Sequence, residues 1–135
     1  MSADAHTDDE RTVLEFLDAW ERQDIEHMLS FFTPDASYID MPLPPRHGLT
    51  AIRAYMEQVF GAFSVRIETL KIASNDDVVF TERIDYLGLN GSDKPEVPLP
   101  VTGVMEMQNG KIAAWREYLD LRTAEDGLGI TIKPE

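Results

Sequence analysis

The stretch V-F-T-E-R-I-D-Y-L, Val79 to Leu87, decides how the rest of the chain is read. It is rich in β-branched and aromatic residues and has the composition of a strand. Side chains alternate across a strand, so Thr81, Arg83, Asp85 and Leu87 share one face, while Phe80, Glu82, Ile84 and Tyr86 share the other. Whichever face turns inward carries at least one charge. A second stretch, Ile112 to Leu121, has the same character: Ala113, Trp115, Glu117 and Leu119 alternate with Ile112, Ala114, Arg116 and Tyr118. A charge buried in an apolar face is costly unless it is paired, so such groups are normally paired, protonated, exposed or functional. The remaining sequence reads as the scaffold that brings these two strands together.

Upstream lie three helical patterns. Thr7-Asp8-Asp9-Glu10 places carboxylates at a helix start, and Val13, Phe16, Leu17 and Trp20 follow at helical spacing. Asp24 caps a second helix, with Ile25, Met28, Leu29, Phe31 and Phe32 as its apolar positions and Thr33-Pro34-Asp35 as its end. Ala36 to Met41 reads as a short strand, and P-L-P-P-R-H-G (42–48) as a rigid loop. A third helix opens at Leu49 or Thr50 and carries Ile52, Tyr55, Met56, Val59, Phe60 and Phe63. From Val65 onward the chain reads as strand. Asn75-Asp76-Asp77 and Gln108-Asn109-Gly110 are hairpin turns, and Pro98 and Pro100 place the start of the Val97–Met107 strand at an edge or bulge. The order α-α-β-α-β-β-β-β predicts an α+β fold: a strongly curved, mixed or antiparallel sheet packed against three N-terminal helices as a cone, with a pocket between the two layers. One domain over 1–135 is expected, with 1–9 and 123–135 as peripheral tails.

Composition narrows the function. A net charge of −13 disfavours nucleic acid and anionic membrane surfaces as partners. No apolar run approaches the ~18 residues that span a bilayer, and the N-terminus has no signal-peptide pattern, so a cytoplasmic protein is the default reading. With no cysteine there is no thiolate chemistry. His6, His27 and His47 lack metal-ligand spacing, and no phosphate-binding, dinucleotide or G-x-S-x-G motif is present.

Polar groups remain on three strands in i, i+2 register: Tyr38 with Asp40, Arg83 with Asp85, and Glu117 two after Trp115. An arginine among carboxylates holds one of them ionised while crowding raises the pKa of another, so an acid and a base can coexist near neutral pH. The same pattern also fits a structural salt bridge or a solvated sheet face. Leu17, Trp20, Met41, Phe63, Leu87, Val101, Trp115 and Leu119 are the candidate pocket walls.

The segments Y-I-D-M-P-L-P-P (38–45), T-E-R-I-D (81–85) and G-K-I-A-A-W-R-E-Y-L-D-L-R (110–122) together resemble the limonene-1,2-epoxide hydrolases, within the nuclear-transport-factor-two-like, polyketide-cyclase-like superfamily. The resemblance runs from about Val13 to Leu121. It implies the cone fold, a homodimer, a small apolar substrate, and one-step attack of water on an epoxide with no cofactor and no metal. In that family an aspartate base and an arginine-bridged aspartate acid act on water held by a tyrosine and an asparagine. The tyrosine falls on Tyr38, the arginine on Arg83 and the acid on Asp85, while the base becomes Glu117 and the asparagine becomes Asp40. Asp40 also falls where the similar ketosteroid isomerases carry their base, so proton-transfer isomerase or lyase chemistry is one alternative. A non-catalytic binder of lipophilic ligands is another. For the homodimer, which also draws on an expected apolar outer face of the strand from Pro98 to Met107, light scattering at micromolar protein is expected to give twice the 15.3 kDa chain mass; a mass near that of one chain contradicts it.

Overall fold

The structure, a computed structural model, describes residues 3–132. Helix α1 (Asp8–Glu21) starts where Thr7 accepts a hydrogen bond from the Glu10 N–H at 3.0 Å, and α2 (Ile25–Leu29) starts at Asp24. Then follow β1 (Phe32–Met41), β2 (Arg46–His47), α3 (Leu49–Ala62), β3 (Phe63–Asn75), β4 (Val78–Leu89), β5 (Val97–Gln108), β6 (Lys111–Leu119) and α4 (Leu121–Leu128). The six strands form one sheet in the order β2-β1-β6-β5-β4-β3, parallel only between β1 and β6. Register shifts interrupt β1 on β6, β3 on β4 and β5 on β6. Such bulges bend and twist a strand, and the curved, unclosed sheet wraps its inner face around α1 and α3. Asn109 and Gly110 both have positive φ (50° and 77°), the paired left-handed conformation that a tight Asn-Gly hairpin needs.

The core is aromatic. Phe16 meets Phe32 and Trp115 edge-on at 5.3 and 4.7 Å, and Trp20 meets Phe60 and Trp115 at 5.0 and 5.1 Å. Offset and edge-on pairs of this kind add to the area that the rings bury.

Four local expectations change. Phe31 and Phe32 are not helical: α2 stops at Leu29, and β1 runs through Thr33-Pro34-Asp35 because Phe32 packs on Phe16 from the strand. Pro34 is tolerated there because it falls in the stretch between Phe32 and Ser37 where pairing with β6 is interrupted. The loop 42–48 contains β2, paired antiparallel with Ser37 and Tyr38. Ile112 is fully buried rather than outward, since the shift between Glu106 and Met107 flips the alternation at the start of β6. The outer face of β5 (Pro98, Pro100, Thr102, Val104, Glu106) is mixed rather than apolar; Leu99, Val101, Met105 and Met107 point inward. Pro98 and Pro100 do lie where β5 extends past β6 and pairs with β4 alone.

Within the described residues the expected tails are not peripheral; residues 1–2 of the first lie outside them. The Ala3 N–H donates to the Thr69 carbonyl at 2.9 Å. Leu121 ends no strand: Asp120 caps α4, whose Ala124 packs against Leu99 and Val101 and whose Leu128 is also buried. Residues 133–135, the end of the second expected tail, lie outside the described residues. Gly127 sets how closely α4 seats, since a Cβ there would lie 2.5 Å from Val97 Cγ1. Alanine is the better helix former by up to ~1 kcal/mol, yet overpacking of this kind costs about 1–3 kcal/mol. Gly127→Ala is therefore expected to lower stability in urea melts of the native chain and to raise it, or leave it unchanged, in a Val97→Ala background. Equal effects in both backgrounds contradict this packing.

Candidate active site

Inward alternation places Thr81, Arg83 and Asp85 on the concave face of β4, as their spacing predicts, and all three are buried. Register then aligns a row across four strands: Asp40 pairs with Glu117, Glu117 with Gly103, and Gly103 with Thr81. Arg83 lies two residues along from Thr81 and leans across this row. Nε donates to Asp85 Oδ1 at 3.1 Å, and Nη2 to Asp85 Oδ2 at 2.9 Å and to Glu117 Oε1. Nη1 donates to Glu117 Oε2 at 3.0 Å and to Thr81 Oγ1 at 3.1 Å. All five N–H groups of the guanidinium are thereby used. The side chain crosses β5 at Gly103, where a Cβ would stand 2.6 Å from Glu117 Oε2, 2.7 Å from Arg83 Nη1 and 2.8 Å from Thr81 Oγ1. Only glycine leaves that passage open. Gly103 and Thr81 were not among the candidates; they declare themselves only once the register is known.

Asp40 is separate from this fork. Its Oδ2 accepts hydrogen bonds from the phenols of Tyr38 and Tyr55, each at 2.8 Å. Tyr55 sits on α3, where sequence periodicity marks it only as a helical apolar position. Tyr38 is held by a parallel stack on Trp115, with centroids 4.2 Å apart and planes 10° apart.

Burial dominates the electrostatics. It pushes the Glu117 carboxyl up to about 7, against the pull of Arg83 and with the repulsion of Asp85 and Asp40 added. Burial also raises the Asp40 carboxyl above the usual carboxylate range, opposed by the phenols of Tyr55 and Tyr38. Tyr38 is pushed well above the usual phenol range by burial and by Asp40. Burial works against the charge of Arg83, but Glu117 and Asp85 more than offset it and hold the guanidinium protonated.

Tyr38, Asp40, Tyr55, Asp85 and Glu117 all face one cavity of about 120 Å³, whose other walls are apolar; Arg83 lies behind it. Of the candidate walls, Trp20, Phe63, Leu87, Val101 and Leu119 line it. Three others do not. Leu17 turns toward Ile67 and Thr69 of β3. Met41 is one residue past Asp40, so alternation puts it on the opposite face, beside Tyr118. Trp115 is a core plate behind Tyr38, fully buried, its indole N–H without an acceptor among the described residues. Leu121, Ala124, Leu128 and Ile132 supply walls that the sequence reading left unassigned.

Residues 13–115 match the SnoaL-like domain. The chain belongs to the SnoaL-like domain family. Among curated proteins, it is 25% identical over 113 residues to epoxide hydrolase EphG of Mycobacterium tuberculosis (strain ATCC 25618 / H37Rv), covering 84% of this chain and 74% of that one. Among solved structures, an LEH-like epoxide hydrolase of M. tuberculosis aligns with a TM-score of 0.78 at 25% identity, over 90% of this chain and 89% of the other. The epoxide hydrolase/cyclase-like enzyme SalBIII of polyether salinomycin formation aligns at 0.76 and 19% identity, over 85% and 92%. A ketosteroid-isomerase-like fold from Catenulispora acidiphila DSM 44928 aligns at 0.81 and 16%, over 91% and 97%. The last two show the fold alone. Among the described residues no helix is long and apolar enough to cross a membrane.

The buried fork generates a pH prediction. In the fold Glu117 titrates at about 7, against 4.5 ordinarily, so between those values the folded protein holds a proton that the unfolded chain has released. The stabilisation from this group is fully present below about 4.5 and is lost as pH rises through about 7. Arg83→Met removes the cation that opposes the rise of Glu117, widening this window upward. The variant should lose about 3–5 kcal/mol at pH 8 and recover part of it at pH 5. Arg83→Met with Asp85→Leu should be more stable than Arg83→Met. Melts of the three proteins from pH 5 to 8 check this, and a single variant within ~0.5 kcal/mol of the parent throughout contradicts it.

Proposed function

We propose that the chain is an epoxide hydrolase acting on a small apolar epoxide by direct attack of water. The observation that supports this most is the fork: one guanidinium, fully hydrogen-bonded, bridges two carboxylates that face the same apolar cavity, with Asp40 in register beside Glu117 and Tyr38 bonded to Asp40. In this reading Glu117 takes a proton from water, Asp85 gives one to the opening epoxide oxygen, and Arg83 joins the two so that the proton balance is restored through the bridge or from solvent. The new carbon–oxygen bond forms to water as the epoxide carbon–oxygen bond breaks, yielding a diol. Glu117 titrating near 7 suits a base that works at neutral pH. The extra methylene of glutamate is accommodated by its reach over Gly103 to Arg83. The epoxide hydrolases among its relatives support the same reading.

A second reading, proton-transfer isomerisation with Asp40 as base, is favoured by one observation. Oδ1 of Asp40 has no hydrogen-bond partner among the described residues, and Asp40 lines an apolar cavity.

Single turnovers of a panel of terpene, styrene and cycloalkene oxides in oxygen-18 water separate these. Hydrolysis by direct attack is expected to put label in the diol on the first turnover and none in the protein, with Asp85→Asn slower by about 10²-fold or more. Label first appearing in a protein carboxylate would contradict direct attack. Deuterium exchange at carbon without labelled diol supports the isomerase, and neither product leaves a lipophilic-ligand binder.

A further inference from the structure

We propose that Tyr55 is a positioning residue for Asp40: with Tyr38 it clamps Oδ2, leaving Oδ1 turned to whatever occupies the cavity. The proposal rests on this cavity being the site, and not on which of the two reactions it performs.

The two phenols arrive from different directions. Tyr38 is two residues before Asp40 on β1 and shares its face, so its reach is local. Tyr55 comes from the middle of α3 and donates to the same oxygen at the same 2.8 Å. Their rings meet edge-on, 5.4 Å apart. Two donors on one oxygen fix the plane of the carboxylate and favour its charged form. They also consume the phenol protons, so neither hydroxyl donates to a ligand while the clamp is closed. What the cavity then meets is a lone-pair oxygen, where an asparagine would offer amide hydrogens.

The charges that act on Asp40 across the cavity come from β4 and β6. Glu117 on β6 and Asp85 on β4 repel its proton loss, and Arg83 on β4 favours it. On β2, Arg46 lies 4.5 Å from the centre of the Tyr55 ring. A cation over the ring draws on its electrons and strengthens the O–H as a donor. The elements β5, α1 and α4 present only apolar side chains to the cavity. Against this background the phenols are the groups that hydrogen-bond Asp40 directly.

The test is a titration of the full chain without substrate. Aspartate carboxyl carbons are labelled with carbon-13, and Asp40 is assigned by the resonance missing in Asp40→Asn. Tyr55→Phe is expected to raise the Asp40 midpoint by about 1 pH unit, the scale of one lost hydrogen bond to a charged group. Tyr38→Phe should shift it in the same direction. Fluorotyrosine incorporated at position 55 keeps the shape and makes the phenol a stronger donor, so it should move the midpoint down. This keeps the test decisive if Tyr55→Phe folds poorly. A midpoint that is unchanged or moved the opposite way in a folded variant overturns the proposal, since a purely structural Tyr55 leaves Asp40's titration in place. Because no turnover is measured, failure of the hydrolase reading and failure of the clamp are read separately.

Discussion

Arg83 is the constraint on which the rest depends. A guanidinium buried in a sheet must find acceptors for five N–H groups, and this fold supplies them from three side chains on two strands. The strand between them must be bare at one position, and Gly103 is that position. The cluster therefore imposes a register on β4, β5 and β6, because a one-residue slip would turn Arg83 or Glu117 to solvent. Apolar side chains of similar volume would stabilise a sheet interior as well or better. The ionic cluster is thus poorly explained by stability, and its exposure to one cavity points to chemistry.

The charges in that cavity are arranged in two systems. One cation serves Asp85 and Glu117, while two neutral phenols serve Asp40. Three acids against one cation leave the cavity short of positive charge, and burial makes that shortage costly. The cluster responds by raising Glu117 to about 7 and Asp40 above its ordinary range. A site that holds a proton marginally near neutrality can both accept and return one. The aromatic core contributes by rigidity: Trp115 backs Tyr38, and Phe16 and Trp20 back Trp115.

Much of this was legible in the sequence because strand alternation is a local property. Tyr38 with Asp40, and Arg83 with Asp85, share faces by period two alone, and an unpaired charge on an apolar face signals that a partner must exist. Where tertiary pairing interrupts the period, the local reading fails. Ile112 turned inward because β5 and β6 shift register beside it, and Pro34 could sit within β1 because the ladder there is already broken. Met41, a candidate wall, is excluded from the pocket by alternation itself, being one residue past Asp40. Leu17 and Trp115 carry the right chemistry for a wall and are drawn into the core by the rings and β-strand that they pack against.

The sequence by itself determined the order and type of most elements, the hairpin at Asn109-Gly110 and the identity of four polar residues that face the cavity and of the arginine behind it, since each follows from spacing, turn chemistry or motif. Only the tertiary structure decided that Arg83 serves Asp85 and Glu117 but not Asp40, that Gly103 opens the path between strands, that Tyr55 reaches Asp40 from α3, and that α4 closes the cavity. The physical reason is the same in each case. Which side chains meet across separate elements depends on strand register, on the rotation of a helix about its axis and on where a terminal segment docks, and none of these is encoded within a few residues of the groups concerned.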